Sequence, residues 1–173
     1  MSGTQRFLTS LLSFFRPSSG TRTESQPTPP PGATVGQHGA EATVQVDPHR
    51  LGPVRLSYQP QSDGDPDPGE IVWTWVPYEE NDGRGKDRPV IVVALEAPGS
   101  LLAVQLTSKD HSGDAGFVEL GTGQWDREGR PSWANINRVF RVWPDGVRRE
   151  AAALDASRFQ RVRNALTGRY GWN

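Results

Sequence analysis

The chain has 173 residues, a formal net charge of −1 and a hydrophobic share of 34%, with Gly 19, Pro 15 and no cysteine. That length suits one domain, and the low apolar share implies a further segment that cannot bury enough surface to offset the entropy of ordering it. The absence of cysteine excludes disulfides, thiolate catalysis and cysteine-ligated metal, and the three histidines, His38, His49 and His111, have no i,i+4 partner for a metal site or a histidine-based triad.

The first element is a short apolar patch, Phe7, Leu8, Leu11, Leu12, Phe14 and Phe15. It is far below the ~20 residues that span a bilayer, and no small-residue cleavage site follows it. Leu8, Leu11, Leu12 and Phe15 recur at helical spacing. The patch reads either as a frayed tail or as a short amphipathic helix that contacts a partner or a membrane surface. From about Pro17 to about Pro66 the composition is that of a linker, densest at Pro27-Thr28-Pro29-Pro30-Pro31-Gly32. Within it Val54, Leu56 and Tyr58 alternate with polar residues, which suits a short strand on the edge of a domain. The turn-forming run Asp63 to Gly69 closes this region. The expected division is a low-complexity, largely disordered arm over 1–66 and a folded domain over 67–173.

Strands follow. Ile71 to Val76 is rich in β-formers, and a polar loop runs from Pro77 to Asp87. Val90 to Leu95 is a continuous, β-branched run that suits a strand buried on both faces. Leu101 to Leu106, Gly116 to Leu120 and Trp133 to Trp143 supply three more strands, and Pro144-Asp145-Gly146 a turn. At the end, Asp155 can cap a helix whose Phe159, Val162 and Leu166 fall on one face, with Gly168 as its stop. Short strands followed by one helix predict a mostly β fold, a small curled barrel with a helix packed on it.

Three places could carry chemistry. In Gly85-Lys86-Asp87-Arg88-Pro89, Pro89 biases Arg88 toward extended geometry at a strand mouth, where a guanidinium can grip a phosphate; such an Arg-Pro can equally be structural. In Leu106-Thr107-Ser108-Lys109 an apolar strand stops at two hydroxyls and a lysine, donors for a phosphate oxygen or for loop amides. In Ser132-Trp133-Ala134-Asn135-Ile136-Asn137-Arg138, alternation puts Trp133, Asn135 and Asn137 on one face, where they could stack on and read unpaired bases. Charge is also uneven. The C-terminal part is rich in arginine (Arg138, Arg141, Arg148, Arg149, Arg158, Arg161, Arg163, Arg169), whereas acids gather between Asp63 and Asp82. Such asymmetry marks either a nucleic-acid surface or a solvated helix face.

The order of these pieces resembles the MazF/PemK family of toxin–antitoxin ribonucleases. The matching stretches are Pro68-Gly69-Glu70-Ile71-Val72-Trp73, Gly85 to Val93, Leu106-Thr107-Ser108, Phe117-Val118-Glu119-Leu120 and Ser132 to Val142. The resemblance implies a small SH3-like, MazF-like barrel with a C-terminal helix, a homodimer, a cytoplasmic location, a cognate antitoxin partner and no cofactor or metal. It implies a type II toxin that cleaves single-stranded RNA by attack of the ribose 2′-hydroxyl, with Arg88 and Thr107 catalytic. Arg84, Lys86, Ser108, Lys109, Ser132, Asn135, Asn137 and Arg138 would contact the RNA. This chain departs from the family at Asn137-Arg138, where many members carry an acid and a glutamine, and its loop acids Glu79, Glu80 and Asp82 are unhelpful to RNA. The alternative is a catalytically inactive MazF/CcdB-like barrel serving as a protein- or nucleic-acid-binding module, since a fold hosts more than one function.

Overall fold

A computed structural model describes residues 32–173, and for 149–151 the backbone only. The apolar patch at Phe7–Phe15 and the linker up to Pro31 lie outside the described residues. Among the described residues seven strands form one antiparallel sheet: β1 (Val44–Val46), β2 (Glu70–Pro77), β3 (Gly85–Glu96), β4 (Ser100–Thr107), β5 (Phe117–Gly121), β6 (Ser132–Val142) and β7 (Arg148–Ala153). Their order is β1-β6-β4-β3-β2-β7, with β5 also on β6. A helix, α1 (Ala156–Tyr170), follows. The fold is mostly β with a C-terminal helix packed on one curled antiparallel sheet.

Alternation along the central strands builds two apolar layers. Ile91 and Val93 of β3, with Leu102, Val104 and Leu106 of β4, face the helix residues Phe159, Val162 and Leu166. Val90 and Val92, with Leu101 and Ala103, face the other way onto Phe140 and Val142. The continuous apolar run of β3 is explained by this burial on both sides: Val90 to Ala94 are 0% exposed. No helix among the described residues is long and apolar enough to cross a membrane.

The chain enters this fold well before residue 67. Val44 to Val46 pair with Arg141 to Val139 of β6. At the other side of the curled sheet the carbonyl of Val35 accepts the amide of Trp75 in β2 (3.1 Å). Residues 35–46 therefore bridge two ends of the sheet and close the barrel. Thr74 donates to the Gly146 carbonyl (2.8 Å), so its hydroxyl oxygen is left to accept from Thr43 (2.7 Å). Gly36, at φ +79°, fits under this pair because a Cβ there would lie 2.1 Å from the Thr74 hydroxyl. Within the expected arm over 1–66, Val54 and Leu56 are buried in the helix-side core.

The expected edge strand at Val54–Tyr58 takes a different form. Leu56 donates its amide to Asn173 (2.6 Å) and Val54 accepts from Asn173 (3.1 Å), so this segment clasps the last residue of the chain. Trp172 is buried beside it in the same core, and Tyr58 donates its hydroxyl to the Leu154 carbonyl (2.8 Å). Asp155 caps α1 as expected, accepting the Arg158 amide (3.0 Å). The helix does not stop at Gly168; it runs to Tyr170 and ends on Gly171, whose left-handed φ of 71° lets its amide reach the Thr167 carbonyl. Strand β7, without alternation in Arg148-Arg149-Glu150-Ala151-Ala152-Ala153, gave no period to read and forms by pairing with β2.

Candidate active site

The site lies where β3 and β4 part. Val90 and Gln105 face each other across the ladder. Two residues outward on each strand stand Arg88 and Thr107, so both belong to the face of Val90 and Gln105. Both are half-buried, and both line one open cleft of about 730 Å³. The Thr107 hydroxyl oxygen accepts the Lys109 amide (3.2 Å), which fixes the side chain and leaves its O–H free to donate outward. Arg88 forms no hydrogen bond and no ion pair among the described residues, so its fork of N–H donors is open to a ligand.

The cleft is cationic although the chain is not. Lys86, Arg88, Lys109, Arg127, Arg130 and Arg148 line it against Asp87, Asp126 and Glu128. Arg148 is paired with Asp87, and Arg130 reaches both Asp126 (3.0 Å) and Glu128 (3.1 Å). Lys86, Arg88 and Lys109 are left without a carboxylate partner among the described residues, and they flank the point where the strands open. Trp73, Pro89, Leu106 and Trp125 supply apolar wall. Trp125 is locked by donation of its indole N–H to the Ser132 hydroxyl (3.1 Å), and the Arg158 guanidinium lies 5.8 Å from its ring centre. Among the described residues no group of three His, Asp or Glu stands together as a metal site would require.

The structure brings Lys86, Arg88, Thr107, Ser108, Lys109 and Ser132 to this cleft. It does not bring Arg84, Asn135, Asn137 or Arg138 there. Arg84 sits in the β2–β3 loop and closes on Asp82 (2.7 Å). Asn135 is buried and its side-chain oxygen accepts the Asn137 amide (3.0 Å). Asn137 turns its amide group to the Gly116 carbonyl (3.3 Å). Arg138 is buried, with its guanidinium donating to Gln45, Gln105 and Pro77. The cause is a bulge. Between the pairs Leu106↔Ala134 and Val104↔Val139, Gln105 alone on β4 faces Asn135 to Arg138 on β6. Alternation fails before that break as well: Trp133, expected on the base-reading face, is buried and does not line the cleft, whereas Ser132 does. Sequence reasoning also missed Arg127, Arg130, Trp73 and Trp125 as cleft residues. Trp73 lies mid-strand in a β-forming run, and the other three lie in an irregular β5–β6 loop whose position is set by tertiary packing, so no local pattern marks them.

Burial pushes the Arg138 guanidinium below its ordinary value. Glu79 opposes that shift, Arg88 adds to it by like-charge repulsion, and Glu80 opposes it. Arg138 is thus in electrostatic contact with Arg88 although it does not line the cleft.

Residues 67–168 match the family model described as PemK-like, MazF-like toxin of type II toxin-antitoxin system. Comparison with the curated proteins gives no match. Among solved structures the chain is similar to MazF from Deinococcus radiodurans, with 21% identity over 62% of this chain and 97% of that one, at a TM-score of 0.48. It is similar also to a MazE-MazF structure from Deinococcus radiodurans (19% identity, 62% and 98% coverage, TM-score 0.46). The Mycobacterium tuberculosis toxin MazF-mt6 is a third (15% identity, 59% and 98% coverage, TM-score 0.42). The match spans the strands β2 to β7 and most of α1 while leaving the β1 segment outside it, and on that match the chain belongs to the PemK-like, MazF-like toxins of type II toxin–antitoxin systems.

Proposed function

We propose that this chain is an endoribonuclease that cleaves single-stranded RNA without a metal ion, as the toxin of a type II toxin–antitoxin pair. The observation that carries the reading is the Arg88 guanidinium, unpaired among the described residues, and the Thr107 hydroxyl lining one cationic cleft. The ribose 2′-oxygen attacks the adjacent phosphorus and loses its proton, and the bond from phosphorus to the 5′-oxygen breaks. The 5′-oxygen takes up a proton, so the products are a 2′,3′-cyclic phosphate and a 5′-hydroxyl. Negative charge grows on the non-bridging oxygens of the pentacoordinate phosphorus. Arg88 meets that charge and Thr107 donates to one of those oxygens, a pre-set arrangement of donors that needs no reorganisation. Lys86 and Lys109 hold flanking phosphates, and Ser108 and Ser132 lie within the same cleft. DNA lacks the internal nucleophile and is not cut.

The same reading assigns the chain a homodimeric form, an acidic antitoxin that covers the cationic cleft, and work in the cytoplasm. Incubation of single-stranded RNA with the purified protein in EDTA tests it. Fragments ending in 2′,3′-cyclic phosphate are the expected result. RNA that is bound and left intact supports the binding-module alternative instead.

A further inference from the structure

Arg138 is 8% exposed and yet no carboxylate pairs with it among the described residues. Its hydrogen bonds go to neutral acceptors: Nε and Nη2 to the Gln45 side-chain oxygen (2.9 and 2.6 Å), Nη2 to the Pro77 carbonyl (2.8 Å) and Nη1 to the Gln105 side-chain oxygen (3.3 Å). Its guanidinium also lies 4.9 Å from the Phe140 ring centre. Three residues along the same strand the fold treats an arginine differently. Arg141 is held by both oxygens of Glu96 (2.5 and 2.6 Å), so its charge is cancelled locally. Burying a guanidinium without a counter-charge is costly, and a neutral side chain of like volume would hold these elements together at less expense. A fold that keeps such a charge keeps its field.

The field acts on the proposed site. Gln105, one of the Arg138 acceptors, faces Val90, the residue two before which is Arg88 and the residue two after Gln105 is Thr107. Arg88 and Arg138 feel each other's charge, and Glu79 and Glu80 of the β2–β3 loop are the acids that also act on Arg138. The acceptor with two of the four bonds, Gln45, lies on β1, outside the matched family span.

We propose that Arg138 is a positioning residue whose charge, in direct ion pair with no carboxylate among the described residues and held in place by Gln45 of the N-terminal segment, supplies positive potential behind Arg88 and Thr107. This inference rests on the ribonuclease reading. Arg138 touches no RNA; it lowers the barrier because the pentacoordinate phosphate is more negative than the substrate, and a fixed cation in a poorly hydrated place favours it. The N-terminal segment is then part of the site rather than an appendage to it.

The discriminating variant is Gln45→Glu in the full chain. It preserves shape and hydrogen bonds while placing a carboxylate on the guanidinium, so stability is kept or raised and the field is cancelled. The expected result is a kcat lower by about tenfold with KM unchanged, a thermal midpoint equal to or above the parent's, and a pH–rate profile displaced to higher pH because the 2′-oxyanion is less favoured. Gln105→Glu repeats the neutralisation from β4 and serves if Gln45→Glu fails to fold. Arg138→Lys, which keeps the charge, recovers most of the activity that Arg138→Gln loses. Cleavage by Gln45→Glu or Gln105→Glu at the parent's rate overturns the proposal. So do losses that follow only the thermal midpoint of each variant. The parent and Arg88→Ala are measured alongside: an active parent that Arg88→Ala silences leaves the ribonuclease reading standing whatever the Gln45 result, whereas an inert parent overturns both.

Discussion

Replacing Leu56 by alanine tests whether the segment before residue 67 is part of the core. Leu56 is 3% exposed and belongs to the layer beneath α1. The substitution removes three carbons, about 2.4 kcal/mol of transfer free energy at about 0.8 kcal/mol each. The cavity adds to this where neighbours cannot collapse, and these are held. The Leu56 amide is tied to Asn173 and Trp172 is buried nearby. A total of about 3 kcal/mol follows, within the usual range for buried Leu→Ala, and for a domain of this size it lowers the thermal midpoint by about 10 °C. Urea unfolding of the full chain, followed by tryptophan fluorescence, reads the change as a lower midpoint at constant slope. Val44→Ala in the same segment is the control: Val44 is 46% exposed, and its loss changes stability by about 0.5 kcal/mol or less. A Leu56→Ala cost below about 1 kcal/mol would refute the claim that this segment completes the core.

Other outcomes follow from the same geometry. Arg141 holds the Glu96 carboxyl below its ordinary value, so the pair stabilises the fold fully above the usual glutamate range and stops doing so as pH falls through the lowered folded value. Glu96→Gln therefore lowers the unfolding free energy at neutral pH, by about 1 kcal/mol for a partly screened pair, and the gap to the parent closes in acid; a gap independent of pH contradicts this. Ser132→Ala leaves the buried indole N–H of Trp125 without its acceptor, at a cost of about 1–3 kcal/mol, and it shifts the Trp125 emission as the cleft wall loosens. An unchanged midpoint by calorimetry would show that the indole finds another partner.

Much of the fold was legible because its periods are physical. The β-branched run Val90 to Ala94 announces burial on both faces, and Phe159, Val162 and Leu166 announce a helix lying on a core. The strand mouths at Arg88 and Thr107 were legible as well, and β3 and β4 pair last at Val90↔Gln105, two residues inward of each. What could not be read depends on contacts distant in sequence. The bulge opposite Gln105 removes Asn135 and Asn137 from the alternation that would have aimed them at RNA. Val44-Gln45-Val46 is too short to show a period and becomes a strand only because β6 offers an edge. Polar surroundings made residues 34–58 resemble linker, yet Val54 and Leu56 there are buried in the core. Arg138 looked like a surface cation because sequence does not disclose which charges a fold will enclose.

The central claim is that one guanidinium and one hydroxyl at the parted ends of β3 and β4 act on a single phosphodiester. Its most direct test is cleavage of a single-stranded RNA in EDTA by the parent, by Arg88→Ala and by Thr107→Ala, with thermal midpoints recorded for all three. The account predicts cutting by the parent to 2′,3′-cyclic phosphate ends, and a loss of at least about a hundredfold in each variant at an unchanged midpoint. Variants that fold normally and cut at the parent's rate would contradict it.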